Sequence, residues 1–317
     1  MNCNFIYVEG VVFKSTGNLC YVLSQENKTY TCRIRGKTRL MDLEFTNPIA
    51  VGDNVLFSYD FRNKIGVIEE IKPRKNYIIR KSVNLSHKSQ IIASNIDLAI
   101  LVVTIDNPIT SFKFIDRFLI QAEAYGIDSK IIFNKIDLHD EKTEIICNKH
   151  QKIYQDIGYE TIPMSIYNQN QLAYLKHLLI NKRSVISGHS GVGKSSLINA
   201  IDSSLNLKTN KISQYHNQGV HTTTYAEMFA MSGGGYIIDT PGIKGLGLVD
   251  LDLNDISSYF KEMVIYSPRC RFKNCMHINE PGCEIIKNVK KGLISKSRYS
   301  SYCSMLEANT NYRKNNF

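Results

Sequence analysis

Eight consecutive residues, Gly188, His189, Ser190, Gly191, Val192, Gly193, Lys194 and Ser195, carry the glycine spacing and the closing Lys-Ser of a phosphate-binding loop. An apolar run at 184–187 precedes them and a helical pattern starting at Lys194 follows, the context such a loop requires. Glycines let backbone N–H groups turn inward around phosphates, and the helix N-terminus adds partial positive charge. Lys194 is expected to reach the β- and γ-phosphates and Ser195, followed by Ser196, to ligate Mg²⁺.

Two further segments extend this chemistry. Asp239-Thr240-Pro241-Gly242 follows the apolar run 236–238, which places a carboxylate at a strand end, where it holds the metal through its water shell, and lets the Gly242 N–H approach a γ-phosphate. Asn134-Lys135-Ile136-Asp137 leaves the apolar run 130–133. A carboxylate at Asp137 accepts from guanine N1–H and the 2-amino group, whereas adenine would face it with an acceptor. The pattern therefore predicts GTP rather than ATP. Ser165 is expected as a second base contact or as an ordinary turn serine.

The polar stretch Gly219-Val220-His221-Thr222-Thr223-Thr224 is expected to fold over the γ-phosphate, with Thr223 completing the Mg²⁺ shell. Position 243 is isoleucine, where many GTPases carry a water-orienting glutamine. His221 is the nearest replacement in sequence, alongside Lys194 and Thr223 as catalytic groups; a plain loop histidine is the competing reading.

The elements that must position these residues read as an alternation. Strand-length apolar runs at 98–104, 130–133, 161–164, 184–187 and 236–238 are interleaved with helical stretches at 114–125, 143–156, 171–180 and 194–201. This predicts a mostly parallel sheet covered by helices on both faces, with ligands at the carboxyl ends of its strands. The motifs occur in permuted order, since Asn134–Asp137 and Ser165 precede Gly188.

Ahead of this region, about five short strands between residues 5 and 72 suggest a small closed barrel. Phe57, Tyr59 and Phe61 share one strand face and fit either a base-stacking platform or a barrel core. The basic stretch 72–90 reads as a linker, and its Lys72, Arg74, Lys75, Arg80 and Lys81, with Arg33, Arg35, Lys37 and Arg39 ahead of it, are expected to contact RNA. Behind it, Cys270, Cys275, His277 and Cys283 form a compact Cys₃His set in a loop-rich segment, fitting one tetrahedral, structural Zn²⁺ with no open position. The chain then ends in a polar tail. The expected division is 1–74, 75–249 and 250–317.

Lys and Arg outnumber Asp and Glu by 39 to 29, a net charge of +10, which favours a polyanionic partner. The 43% hydrophobic and 21% charged composition sets aside disorder, collagen and coiled coil. No membrane-length apolar run or secretory leader is evident, so a cytoplasmic location is expected and eight cysteines point to metal ligands or thiols rather than disulfides. An RNA-binding module holding GTP as a structural ligand competes with an enzyme, but Lys194, Ser195 and Asp239 are all intact.

Taken together, these motifs strongly resemble the ribosome small subunit-dependent GTPase A family, the bacterial circularly permuted GTPases of small-subunit assembly. The resemblance spans nearly the whole chain, from the barrel and RKSVNLSHKSQIIASNID through NKID, GHSGVGKSS, GVHTTT and DTPG to the Cys₃His set. It implies an α/β multidomain protein: an N-terminal OB-fold β-barrel, a circularly permuted P-loop GTPase domain and a C-terminal helical zinc-binding domain. It also implies a cytoplasmic monomer that binds the small (30S) ribosomal subunit and its 16S rRNA and hydrolyses GTP to GDP during late maturation.

Overall fold

The computed structural model describes residues 5–16, 19–34, 48–81, 89–205, 226–239 and 252–314. His221, Thr223, Gly242 and Ile243 lie outside the described residues, as do Arg35, Lys37 and Arg39.

Five strands open the chain: β1 (Phe5–Thr16), β2 (Leu19–Ser24), β3 (Thr29–Ile34), β4 (Asn54–Asp60) and β5 (Ile65–Ile71). Val12, Cys20, Val22, Cys32, Val55, Phe57 and Ile68 are fully buried and alternate with wetter neighbours, so each strand presents one apolar face to a shared core. The order β1-β2-β3-β5-β4 closes because β1 pairs with both β2 and β4, while β3 runs parallel to β5. This is the five-stranded barrel of the OB type. Phe57 belongs to its core, whereas Phe61 is 57% exposed and stands edge-on to Tyr59.

The stretch expected to be a linker contains a hairpin instead. β6 (Tyr77–Lys81) pairs antiparallel with β7 (Ser89–Ser94). Ile78, Ile79 and Ile91 supply the reason, since all three are buried while the lysines and arginines around them dominate the local composition. Arg74, expected to face RNA, is turned inward. Its guanidinium donates to both carboxylate oxygens of the fully buried Asp53 at 2.7 and 2.8 Å, and to Pro48 O at 2.8 Å.

The expected alternation follows: β8 (Leu98–Val103), α1 (Phe112–Ala124), β9 (Ser129–Asn134), α2 (Glu141–Gln155), β10 (Glu160–Met164), α3 (Gln169–Leu179), β11 (Arg183–Ser187), α4 (Lys194–Ile201), β12 (Glu227–Ala230) and β13 (Tyr236–Asp239). Every residue of β8 is buried, as befits a central parallel strand covered on both faces. Ser111, Asp140 and Asn168 cap the first three helices through side-chain oxygens, which ends each preceding loop at a defined residue. The sheet order is β10-β9-β8-β11-β13-β12, parallel except for β12. β12 also meets β1 at Glu227 and Lys14, whose side chains form an ion pair at 3.0 Å, so barrel and sheet are one hydrogen-bonded system.

The remaining described residues form α5 (Lys261–Tyr266), α6 (Glu284–Lys290) and α7 (Lys296–Lys314) around Ile256, Phe260, Met263, Ile285 and Tyr302. The polar tail is thus helical through Lys314. Ile120 of α1 enters this core, so the helical unit packs directly on the α/β sheet's own helix. Among the described residues no helix is long and apolar enough to cross a membrane.

Candidate nucleotide site and metal cluster

The carboxyl ends of β8, β9, β11 and β13 converge on the loop that joins β11 to α4. Two glycines make that loop possible. Gly188 has φ 150°, and a Cβ there would lie 2.3 Å from Val102 O; Gly193 has φ 91°, and its Cβ would lie 2.6 Å from Asn134 Nδ2. Gly193 caps α4 without a side chain, which leaves the helix's first N–H groups free of any side-chain cap. Such a cradle suits an anion.

Lys194 arches back over the loop, donating from Nζ to Gly188 O at 2.6 Å and His189 O at 2.8 Å. Burial depresses its pKa, partly offset by the charge of Asp239. Asp239, at the end of β13 and in register with Ile186 of β11, is pushed upward by burial and held back by Lys194. The two therefore sense each other as opposite charges across the loop. Ser195 and Ser196 occupy the first turn of α4. Phe114 of α1 stacks on the His189 ring, 3.7 Å between centroids and 30° between planes.

The ends of β9 and β10 form a separate surface. Asn134, buried at the end of β9, donates Nδ2 to Val192 O at 2.8 Å, and its Oδ1 is buried without a hydrogen-bond partner. Lys135 adopts the left-handed region at φ 64° and sends Nζ to Gly191 O at 2.7 Å and Asn107 O at 2.8 Å. The turn after β8 is thereby tied in, a contact that the sequence motifs do not announce. Beside this, an open hollow of about 560 Å³ is lined by Ile136, Asp137, Ser165, Tyr167 and Asn168. The buried Ser165 follows β10, its N–H donating to Gln171 Oε1 at 2.8 Å and its Oγ accepting from Tyr167 N at 3.2 Å. A loop suited to an anion and a carboxylate-edged hollow thus lie on either side of the strand end at Asn134.

A model of the RsgA GTPase family matches residues 71–249, and a model of the RsgA N-terminal domain matches residues 9–68. The chain belongs to the RsgA GTPase family. The Small ribosomal subunit biogenesis GTPase RsgA of Christiangramia forsetii is 48% identical over 309 residues, covering 96% of this chain and 98% of that protein. Its namesake in Flavobacterium johnsoniae is 49% identical over 300 residues, 94% of this chain and 92% of the relative. Among solved structures, YjeQ from Thermotoga maritima has a TM-score of 0.76 at 32% identity, covering 96% of this chain and 98% of that one. YloQ, a circularly permuted GTPase, has a TM-score of 0.74 at 29% identity over 98% of both chains. The enzyme is thus a GTP hydrolase of the RsgA type, a class that works on GTP with Mg²⁺.

The RsgA-type chain also brings Cys270, Cys275, His277 and Cys283 together, with all four ligand atoms within 4.8 Å of one another. His277 Nδ1 lies 3.7 Å from Cys270 Sγ and 3.5 Å from Cys283 Sγ. A tetrahedron with Zn–S bonds of ~2.3 Å and Zn–N bonds of ~2.0 Å has an S–N edge of about 3.5 Å, which the two His277 distances approach, and three thiolates with an imidazole suit zinc in their chemistry. His277 holds φ 58°, and Glu280 secures the bend by accepting from Met276, Ile278 and Asn279 N–H groups at 2.7, 2.9 and 3.1 Å. From α7, Tyr299 and Tyr302 donate to the carbonyls of His277 and Met276, each at 2.7 Å. Sequence reasoning missed all three bracing residues; only the closeness of Glu280 to His277 hinted at one.

Proposed function

We propose that the loop from Gly188 to Gly193, with Ser190 and His189 in its arc, wraps the phosphates of GTP while Lys194 leaves its carbonyl partners for the β- and γ-phosphates. Ser195 and Thr223 hold Mg²⁺, Asp239 supports it through water, and Gly242 contacts the γ-phosphate. Asn134, Lys135, Asp137 and Ser165 read guanine. The observation that carries this reading is the 2.8 Å hydrogen bond from Asn134 to Val192 O, which fixes a base-reading strand against a phosphate cradle 58 residues later in sequence.

The cellular task is assembly of the small ribosomal subunit: the protein binds the 30S particle and its 16S rRNA as a cytoplasmic monomer and couples hydrolysis to late maturation. The names of its relatives and its net charge of +10 support this. The working division is 1–74 for RNA, 75–249 for GTP and 250–317 around one structural Zn²⁺. Co-sedimentation with separated ribosomal subunits tests the proposal. It requires binding to the small subunit with a non-hydrolysable GTP analogue and weaker binding with GDP; equal association with both subunits in both states rejects it.

A further inference from the structure

The C-terminal unit and the loop at Gly188 touch the same turn of one helix. Phe114 of α1 stacks on His189 at 3.7 Å, and Asp116, two residues later, accepts from Arg298 Nη1 of α7 at 2.8 Å. Arg298 has no solvent exposure; its Nε and Nη2 are taken by Glu262 of α5 at 2.8 and 3.0 Å, and its guanidinium lies 4.6 Å from the Phe260 ring. Tyr154 of α2 donates to the same Asp116 oxygen at 3.0 Å. Ile120, one turn further along α1, sits in the C-terminal core, and Glu123 pairs with Lys261 at 3.0 Å. The helix is therefore gripped along its length by the C-terminal unit, and its opening turn grips the loop.

We infer that Phe114 is a positioning residue of the phosphate loop and that Arg298, acting through Asp116, sets its placement, so the C-terminal unit tunes nucleotide affinity. The inference rests on the reading of Gly188–Ser195 as the phosphate cradle. The physical reason lies in Lys194. Its ammonium donates to the carbonyls of Gly188 and His189, so reaching a phosphate requires it to leave them while the loop N–H groups stay aimed inward. A ring stacked on His189 restrains that peptide, and a helix pinned at Asp116 keeps the ring in place. Linkage makes the effect reciprocal: nucleotide bound at the loop must tighten the junction of α1 with α7.

The test is a double-mutant cycle on full-length protein, with Phe114→Leu and the charge-preserving Arg298→Lys, reading GDP affinity by titration and fold by thermal unfolding. Each single variant is expected to weaken GDP about fivefold, and the double variant to be little weaker than either, because both act through one contact. Amide exchange within α7 is expected to slow on GDP addition in the wild type and to lose that response in Phe114→Leu. Independent, multiplicative losses with an unchanged α7 response, or folded variants with wild-type affinity, overturn the inference. Failure of the wild type itself to bind GDP would instead overturn the reading of the cradle. If Arg298→Lys does not fold, Phe114→Leu and the exchange experiment decide alone.

Discussion

Asn134 Nδ2 stands 2.8 Å from Val192 O, so the strand end that carries Asn134–Asp137 is bolted to the glycine-rich loop between β11 and α4. In chain order the two residues lie 58 apart, with the strand end first. The sheet explains how that order is tolerated: β9 and β11 flank β8, all three are parallel, and their carboxyl ends open on the same side. Connectivity can be permuted while the site is preserved, because the site depends on strand adjacency and not on succession.

Guanine selectivity is expected to rest on Asp137, which borders the hollow beside Ser165. Asp137→Asn should shift preference from guanosine to xanthosine nucleotides, whose 2-oxo group needs a donor, with a loss of GTP affinity of about 10²-fold or more. Competitive titration with GTP, XTP and ATP checks this. Wild-type protein that takes ATP as tightly as GTP would refute the assignment.

Zinc is expected to hold the C-terminal unit together, since the four ligands leave no open position and metal binding is coupled to folding in such sites. Cys283→Ser should lower zinc content well below one equivalent and open α6 and α7 to limited proteolysis. GDP binding should survive in weakened form, because Lys194, Asn134 and Asp137 stand on other elements. An intact, protease-resistant C-terminal unit without metal would contradict a structural role.

The RNA-facing charges are expected among Arg33, Lys72 and Lys75, and not at Arg74. Reversing the first three should weaken small-subunit binding and flatten its dependence on salt. Arg74→Ala should act on stability instead, by about 3 to 5 kcal/mol, because it leaves Asp53 buried and unpaired. Denaturant unfolding separates the two outcomes.

Acid sensitivity should trace in part to Asp202, at the end of α4. Burial acts to raise its pKa, yet hydrogen bonds from Ser204 and Ser232 outweigh it and bring the value from 3.8 to about 2. A depressed folded pKa stabilises the protein above the unfolded value of 3.8 and loses that contribution as pH falls toward 2. Asp202→Asn should therefore cost on the order of 1 to 2 kcal/mol at neutral pH and erase this part of the acid slope. Thermal unfolding between pH 7 and pH 2 reads it directly.

Much of this architecture is legible in the sequence because the relevant signals are local. The run LAILVV announces a strand buried on both faces, and the P-loop signature starts α4 at Lys194 without error. What escapes is set by partners distant in sequence. Ile78, Ile79 and Ile91 make a hairpin only because the core covers them, and Arg74 looks like an RNA contact until Asp53, 21 residues earlier, is seen beside it. Arg298 is the extreme case: nothing local in its sequence marks it as buried, yet Asp116, 182 residues away, and Glu262 neutralise it in the interior.

GTP hydrolysis is expected to answer to the small subunit. Ile243 offers no hydrogen bond to water, so the isolated protein should be slow, with His221 orienting the water once the subunit is bound. The most direct measurement is single-turnover GTP hydrolysis by wild type and His221→Ala, with and without purified small subunits. Stimulation by the small subunit of about 10²-fold or more, lost in His221→Ala while GTP and subunit binding persist, is the predicted result. A rate that the small subunit leaves unchanged in the wild type would rule out subunit-dependent hydrolysis.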